Sequence, residues 1–420
     1  MLLEFRFQNF RSFRDEQNFS MLADDHKDEQ LQNTFYDDSS KLLILKSSII
    51  YGSNASGKSN FMKAIQTFRM MILTSANNSP GDFFEKYEPF TFSFEFNKAP
   101  VQFEADFLIE EIKYTYSFSF SESRVEQENL YYYPQKRKAL LFSRDHQDFV
   151  FGDHLKGHKS VVAELTTENQ LFLSKGAQNN IPQLKSLYSF VNHDFMAIPF
   201  LDSWVDNYYS DRIAKELLND NNDVFIQNFK ILLQSFDTGI IDFSVKESEL
   251  PWEKYEIFAV HDNFDENDNN IGFSAMPLAE ESTGTQKLFV LGGLVLRALM
   301  NGRTILFDEF ERSLHPIISQ YIIQLFNNPE VNTKNAQLIL ATHDTNLLGK
   351  ENNLRRDQIW IVEKDEKGRS ELFSVSDIEG IRKDTPFEKW YLSGRFGGIP
   401  GIESLNFKLN FQNNFSKIND

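Results

Sequence analysis

The sequence of 420 residues contains no cysteine, which excludes disulfide bonds and cysteine-ligated metal sites. It also lacks a long apolar run, because the longest one, residues 288–296, is far shorter than the about 20 residues that cross a bilayer. The first residues alternate instead of forming the continuous apolar stretch of a signal peptide. No repeat and no long heptad pattern is present. We therefore expect a soluble, cytoplasmic protein without membrane contact.

Basic residues are also scarce relative to acidic ones. The 43 Lys and Arg stand against 61 Asp and Glu, for a formal net charge of −18. An evenly spread negative excess repels nucleic acid, so DNA binding would need a local basic patch. The nearest candidates are the short basic runs at residues 136–138 and 355–356, and such runs are usually solvated turns. The hydrophobic share of 41% and the 42 phenylalanines indicate a globular protein with a large core.

Residues 52–59 match the phosphate-binding pattern GxxxxGK[ST] at every fixed position; they are Gly52, Ser53, Asn54, Ala55, Ser56, Gly57, Lys58 and Ser59. The apolar runs at 42–45 and 47–51 predict a buried strand before the loop, and a helix is predicted to start near Gly57. In that arrangement backbone N–H groups and the helix dipole bind a phosphate, Lys58 reaches the β and γ oxygens, and the Ser59 hydroxyl ligates Mg²⁺. The alternative is a glycine turn with a surface lysine, which the strand–loop–helix context disfavours.

The remaining sequence divides into strand-like and helix-like stretches. Alternating apolar residues predict strands in 1–23 and antiparallel hairpins from about 88 to 152, beginning with the phenylalanines at 90, 92, 94 and 96. The pattern is helical from about 181 to 236, and a strand pair is predicted near 240–246 and 255–261. The acidic loop at 262–270 lacks the glycine and glutamate positions of a calcium loop, so we interpret it as a solvated hairpin tip.

Two apolar strands in the last third of the chain end in polar side chains. Residues 304–307 precede Asp308 and Glu309, and residues 338–342 precede His343. Ligands of open parallel sheets bind at the carboxyl ends of the strands, so these residues should surround one bound triphosphate. Asp308 would hold Mg²⁺, Glu309 would act as general base or orient the attacking water, and His343 would contact the γ-phosphate. Alternatively, the carboxylates mark an exposed strand end and the histidine caps a helix.

Residues 281–286, Glu-Ser-Thr-Gly-Thr-Gln, open a strongly apolar helix. A serine N-cap before a helix is common, so Ser282 alone has an ordinary structural explanation. The functional interpretation is a second phosphate-binding helix end. Because the chain already has one at Gly57, the partner would be the nucleotide of another subunit, and ATP would then hold a dimer together.

Together, residues 9–13, 52–59, 281–286, 305–310 and 341–344 resemble the motifs of ATP-binding-cassette (ABC) ATPases. The similarity is to the RecF, SMC and Rad50 branch, and within it to the stand-alone AAA15 ATPases of bacterial abortive-infection and anti-phage systems. It covers nearly the whole chain. The resemblance implies an α/β fold, an ABC-type P-loop NTPase with a mixed sheet, an antiparallel β lobe and a helical insertion. It divides the chain into an N-terminal lobe at 1–175, a helical insertion at 176–238 and a C-terminal lobe at 239–420.

The resemblance also implies roles for single residues. Lys58 and Ser59 become the phosphate and Mg²⁺ ligands, Asp308 and Glu309 the metal-site and catalytic carboxylates, and His343 the switch histidine. Ser282 and Gly284 become the signature that acts on the other subunit's nucleotide. Three further residues are carried over: Gln178 as a Mg²⁺-sensing glutamine, and Arg11 and Asn60 as nucleotide contacts.

Departures from the family pattern limit the function. The segment between 76 and 280 has no long coiled coil, so it cannot tether DNA as the long-armed members of this branch do. Related overcoming-lysogenization-type nucleases append a metal-dependent TOPRIM domain, whose second motif is Asp-x-Asp, and no such tripeptide follows Glu363. We expect no nuclease in this chain and expect a separately encoded effector, with a TOPRIM-type nuclease as a candidate.

Two functional classes remain after these considerations. The first is a defence ATPase, an ATP- and Mg²⁺-dependent homodimer or larger homo-oligomer that senses a phage-derived trigger and controls a toxic partner. The second is a DNA-repair or chromosome-associated ATPase that binds DNA directly. The strong negative charge favours the first class, because direct DNA binding should leave a basic stripe.

Overall fold

The computed structural model describes residues 1–24, 31–198, 203–219, 223–236, 238–248, 254–312, 314–382 and 384–400. Its largest sheet is antiparallel and has seven strands: β1 (Leu2–Gln8), β2 (Gln17–Ser20), β6 (Val101–Ile109), β7 (Ile112–Phe120), β8 (Val125–Tyr132), β9 (Ala139–Asp145) and β10 (Asp148–Phe151). Their order in the sheet is β10-β9-β8-β7-β6-β1-β2. Strands β6 to β10 lie next to one another in the sheet in the order of the sequence, so short connections are sufficient between them.

A second sheet of six strands carries the phosphate-loop strand at its centre. Its members are β5 (Ser47–Gly52), β11 (Phe195–Ile198), β15 (Thr304–Asp308), β16 (Gln337–Ala341), β17 (Ile359–Lys364) and β18 (Ser370–Ser374). The order is β11-β15-β16-β5-β17-β18, and every pairing is parallel except β17 with β18. The carboxyl ends of β5, β15 and β16 therefore lie side by side at one edge. This mixed sheet and the antiparallel lobe are those of the predicted fold class.

The central sheet buries both faces because its strands alternate apolar side chains between two cores. On β5, Ile50 belongs to the core that contains Phe5, Phe61 and Phe68, whereas Ile49 and Tyr51 belong to the opposite core. The first core lies between the central sheet and the antiparallel lobe and includes α1 (Lys58–Thr74). The second core is closed by α7 (Thr283–Asn301) and α8 (Pro316–Asn327). Such two-sided burial accounts for the near-continuous apolar runs of β15 and β16.

Smaller elements complete the described part of the chain. Two short sheets pair β3 (Thr34–Asp37) with β4 (Leu42–Leu45), and β12 (Asp242–Glu247) with β13 (Tyr255–Phe264) and β14 (Asn270–Pro277). The other helices are α2 (Lys159–Glu164), α3 (Phe172–Gln178), α4 (Pro182–His193), α5 (Ser203–Leu217), α6 (Asp223–Gln234) and α9 (Phe387–Leu392). The acidic loop after β13 is a hairpin tip, as expected, and its Asp265 accepts hydrogen bonds from the loop's own backbone.

Three secondary-structure expectations need correction. The apolar stretch 42–51 is two strands, because the chain changes sheets at Lys46: its N–H donates to Asn33 O on one side, and its carbonyl accepts from Leu338 N on the other. The segment 176–238 is not purely helical, since β11 within it pairs with β15. The three-part division of the chain stays a prediction.

The predicted strand at 90–96 is absent, and this segment consists of turns. Phe92 and Phe94 are 77% and 97% exposed, so the alternating phenylalanines do not share a buried face. The side chain of Asn9 takes the place of a neighbouring strand here: its oxygen accepts from Phe90 N, and its amide donates to the carbonyls of Phe96, Ala99 and Pro100. Because the Asn9 side chain satisfies these backbone groups, the segment does not need hydrogen bonds to a neighbouring strand.

Among the helices of the described residues, none combines the length and the apolar composition that a membrane crossing requires.

Candidate active site

The phosphate loop connects the end of β5 at Gly52 to the start of α1 at Lys58. Gly57 is the N-cap residue of α1 with φ of +127°, and no side chain caps the helix. A Cβ at Gly57 would lie 2.6 Å from the Ser370 hydroxyl, so both the conformation and the space require glycine. The first N–H groups of α1 therefore stay available to an anion, and the helix dipole favours negative charge at this point.

Lys58 is buried beneath the phosphate loop, and its side chain reaches back to the first residues of the loop. Its ammonium donates to Gly52 O at 2.8 Å and to Ser53 O at 3.2 Å. Burial lowers the pKa of Lys58 from 10.5 to about 8, and the nearby carboxylates of Glu309 and Asp308 only partly offset this effect. A cation held by neutral carbonyls in a partly buried position gains more from a phosphate ligand than a solvated surface lysine would. The tip of the loop, at Asn54 and Ala55, is exposed.

Asp308 ends β15, and its carboxylate lies close to the Ser59 hydroxyl in the first turn of α1. Burial raises the pKa of Asp308, and the neighbouring Ser59 hydroxyl opposes this shift. Its Oδ1 is buried and has no hydrogen-bond partner among the described residues. An orphaned carboxylate oxygen beside a hydroxyl supplies the hard oxygen ligands that Mg²⁺ prefers, so these two residues fit a magnesium site.

Glu309 and His343 meet across the ends of β15 and β16. The imidazole Nε2 lies 3.4 Å from Glu309 Oε1, and the Nδ1 lies 3.5 Å from the Lys58 ammonium. Burial and the positive charge of Lys58 lower the pKa of His343, so the neutral imidazole is favoured. Glu309 itself has φ of +49°, an uncommon conformation for a residue other than glycine. The structure therefore brings together the three residues that the sequence predicts to be catalytic.

Two residues near the site were not identified from the sequence. Ser370 donates its hydroxyl hydrogen to Ser56 O and contacts the Ser12 hydroxyl, so β18 supports the back of the phosphate loop. Glu311 accepts hydrogen bonds from Thr342 and His343 just beyond the catalytic strand ends. Ser370 lies outside every motif found in the sequence, and Glu311 directly follows the motif at 305–310, but a lone serine or glutamate carries no signal by itself.

Arg11 and Asn60 lie beside the loop. Arg11 Nη1 is 3.4 Å from Asn60 Oδ1, and the Asn60 amide donates to Ser12 Oγ at 2.8 Å. Two other nitrogens of Arg11 hold the carboxylate of Glu88 at 2.6 and 2.9 Å. A nucleotide contact by Arg11 would add to this ion pair or would exchange with it, so the role of both residues stays a prediction.

The C-terminal glycine-rich segment packs against the start of the loop. The Tyr391 hydroxyl donates to Gly398 O at 3.1 Å. Gly398 N donates to the carboxylate of Glu363 at 2.6 Å. A Cβ at Gly398 would lie 3.3 Å from Gly52 Cα, which shows how closely the two backbones approach.

The predicted signature forms an exposed helix start. Ser282 is the N-cap of α7, and its hydroxyl accepts from Thr285 N at 3.1 Å. Ser282 is exposed and Gly284 is partly exposed. Among the described residues, no hydrogen bond joins this helix start to residues 52–59 of the same chain. The capping role and an action on a second subunit are compatible, because a capping side chain satisfies only one of the first N–H groups of a helix and this helix start is exposed.

Gln178 does not lie at the site, and its assignment as a metal ligand is wrong. It ends α3 and donates to Asn77 Oδ1 at 3.2 Å. Asn77 follows the C-terminal end of α1, whereas Ser59 is at the N-terminal end. The 17 residues of α1 span about 25 Å, which is too far for a shared metal ion.

Comparison with known proteins identifies the family. A family model described as "AAA domain, putative AbiEii toxin, Type IV TA system" matches residues 47–349, more than half of the chain. That range includes the phosphate loop, the α7 helix start and the ends of β15 and β16. No curated protein matches the sequence.

Several solved structures are similar at low identity. They include an SMC head bound to the C-terminal winged-helix domain of ScpA, with 13% identity, 89% of this chain and 97% of that chain covered, and a TM-score of 0.44. For the SMC head domain from Thermotoga maritima, the identity is 13%, the match covers 89% of this chain and 98% of that chain, and the TM-score is 0.41. For an SMC head with an extended coiled coil, bound to the C-terminal domain of ScpA derived from Pyrococcus furiosus, the identity is 14%, the match covers 89% of this chain and 96% of that chain, and the TM-score is 0.43. Likenesses of this size carry no conclusion about the chemistry or partners of this chain.

Proposed function

The chain belongs to the family of AAA-domain ATPases described as putative AbiEii toxin, Type IV TA system, and from that premise we propose an ATP-driven switch in anti-phage defence. In this proposal the protein binds and hydrolyses ATP, and its nucleotide-dependent oligomerisation responds to phage infection. The assembled form then controls a separate toxic effector, as in abortive infection. The proposed N-terminal lobe, helical insertion and C-terminal lobe would move as the units of this switch.

One observation carries the enzymatic part of the proposal. Lys58, Glu309 and His343 form a chain of contacts no longer than 3.5 Å, and the Ser59–Asp308 pair lies directly beside it. These groups come from three separate strands of one sheet edge. A cation for phosphates, a carboxylate for proton transfer and oxygens for a metal are the parts that phosphoryl transfer to water needs.

Each group has a distinct task in the proposed reaction. Lys58 and the N–H groups of α1 hold the β- and γ-phosphates. Glu309 accepts a proton from the attacking water, and neutral His343 orients that water through its ring nitrogens. Ser59 and Asp308 would hold Mg²⁺, which supplies charge neutralisation of the phosphate oxygens when bound.

The oligomeric part of the proposal rests on the exposed start of α7. Ser282 and Gly284 would contact the γ-phosphate held by a second copy, so that ATP completes the interface and hydrolysis releases it. The defence role is supported by the family description, which names a toxin and a toxin–antitoxin system. The phage-derived trigger and the effector, for which a TOPRIM-type nuclease is a candidate, belong to the same proposal.

Four measurements test the proposal. Purified protein should release phosphate from ATP with Mg²⁺, and its mass by light scattering should rise with ATP under conditions that block hydrolysis. A phage infection assay should then show protection that Lys58→Ala and Glu309→Gln remove. Tight DNA binding with a steep salt dependence would contradict the defence switch and favour direct action on DNA, against which the net charge of −18 argues.

A further inference from the structure

Glu311 connects the two segments that carry the catalytic groups. It lies three residues after Asp308, on the loop that follows β15. Its Oε1 accepts from the Thr342 hydroxyl at 2.5 Å and from His343 N at 3.1 Å. One carboxylate therefore binds both the side chain and the backbone at the exit of β16.

The Thr342 hydroxyl extends this connection by one more residue. It accepts from Asp344 N at 2.9 Å while it donates to Glu311. The backbone of residues 342–344 is thus held at two successive N–H groups, on either side of the His343 side chain. Fixing the backbone at these points fixes the direction in which the imidazole leaves the chain.

We propose that Glu311 is a positioning residue that holds the His343 imidazole between the Lys58 ammonium and the Glu309 carboxylate. This inference rests on the proposed ATP hydrolysis, in which His343 orients the attacking water. Glu311 touches neither reacting group. It acts through the backbone of the histidine, and it ties that backbone to the same loop that begins with Glu309.

The second carboxylate oxygen of Glu311 favours a functional role over a purely structural one. Glu311 Oε2 is buried and has no hydrogen-bond partner in the part of the chain that the structure describes. Burial raises the pKa of the carboxyl, so the ionised form is disfavoured at this position. A buried acceptor without a partner costs stability, and such groups persist where function requires them. A scaffold alone would be better served by a neutral or apolar side chain.

The contacts of His343 define what misplacement would do. Its two ring nitrogens lie 3.4 and 3.5 Å from their partners, so both contacts depend on the ring direction. A displacement of about 1 Å of a catalytic group can reduce a rate by about 100-fold. Binding of ATP should change little, because among the described residues no hydrogen bond joins Glu311 to Lys58 or to the start of α1, and the charge of Glu311 is only the weakest of the three carboxylate effects on Lys58.

The test compares Glu311→Ala, Glu311→Gln and Thr342→Val with Glu330→Ala, an exposed glutamate that lies outside the site. Glu311→Ala should slow single-turnover ATP hydrolysis about 10- to 100-fold and leave ATP affinity within about threefold. Thr342→Val, which removes only the hydroxyl, should slow hydrolysis in the same direction. Glu311→Gln should be the mildest, because its amide oxygen can still accept both hydrogen bonds. Glu330→Ala should match the unaltered protein.

A second readout does not require hydrolysis. The pKa of His343, followed by NMR in the nucleotide-free protein and assigned with His343→Gln, should rise toward the ordinary value in Glu311→Ala as the ring leaves Lys58. Failure of the unaltered protein to hydrolyse ATP would refute the proposed function, and the NMR titration would still decide the positioning role. Unchanged hydrolysis and an unchanged His343 titration in Glu311→Ala would overturn the inference. The inference would also be overturned if Thr342→Val lowered ATP affinity and thermal stability but hydrolysed bound ATP at the normal rate.

Discussion

The Nε2 atom of His343 lies 3.4 Å from Oε1 of Glu309, although 34 residues separate them in the sequence. The contact forms because β15 and β16 are parallel neighbours, with Asp308 paired to Ala341 at their ends. The proposed general base thereby lies beside a histidine whose pKa is lowered by burial and by the charge of Lys58. This relationship leads to the first prediction.

Glu309→Gln should keep ATP binding and slow hydrolysis by about 10²- to 10⁴-fold, because the amide cannot accept a proton from water. The change is nearly isosteric, so the unfolding temperature should be unaffected. Phosphate release and ATP affinity, measured on the same preparation, check both statements. Hydrolysis at the normal rate would show that another group is the base.

Lys58→Ala should weaken ATP binding by at least about 10- to 100-fold, because the charge-assisted contact with the phosphates is lost. Calorimetric titration with ATP and Mg²⁺ measures the effect. Lys63→Ala, an exposed lysine one turn and a half further along α1, is the matched control and should bind normally. Equal affinities for the two variants would contradict the phosphate-loop assignment.

Nucleotide affinity should fall as the pH rises above about 8. Lys58 has a pKa lowered to about 8 without nucleotide, and bound phosphates would raise it. Protonation of Lys58 and nucleotide binding therefore favour each other, so affinity is retained below about pH 8. Above it, affinity falls by up to about tenfold per pH unit. Binding measured from about pH 7 to 9.5 should decline in the unaltered protein and stay flat in Lys58→Arg, whose guanidinium does not titrate.

Ser282→Arg should prevent ATP-dependent association and leave nucleotide binding by the monomer intact. The long cation would occupy the exposed start of α7, where a second copy is proposed to present its phosphate. Ser123→Arg places the same change on the exposed turn after β7 and should associate normally. Light scattering of both variants with ATP decides the matter, and association of Ser282→Arg at the normal level would remove α7 from the interface.

Glu128→Ala should destabilise the antiparallel lobe by about 3–5 kcal/mol, because it leaves the fully buried Arg144 without its partner. Glu128 also accepts from Phe172 N and Leu173 N, so the start of α3 loses its anchor. Burial raises the pKa of Glu128 and lowers that of Arg144, which shows that desolvation outweighs the pairing. Urea unfolding measures the change. Glu126→Ala, on the same strand with an exposed arginine partner, should cost no more than about 1 kcal/mol.

Features encoded within short stretches were predictable. The phosphate loop, the buried face of α1 and the apolar strands β15 and β16 each depend on residues that are close in sequence, so period and motif were sufficient. The phenylalanines at 90–96 misled for the opposite reason. Their spacing fits a strand, but the Asn9 side chain from another part of the chain satisfies their backbone.

The sequence by itself determined that a phosphate-binding strand–loop–helix unit is present and which carboxylates and histidine could serve it. Only the tertiary structure decided which polar residues share the site. It placed Gln178 at the far end of α1, joined Glu311 to the exit of β16 and brought Ser370 to the phosphate loop. The reason is physical: local propensities act over a few residues, whereas the side chains that meet at a sheet edge are set by strand order and register. Those depend on burying both faces of the sheet, which is a property of the whole chain.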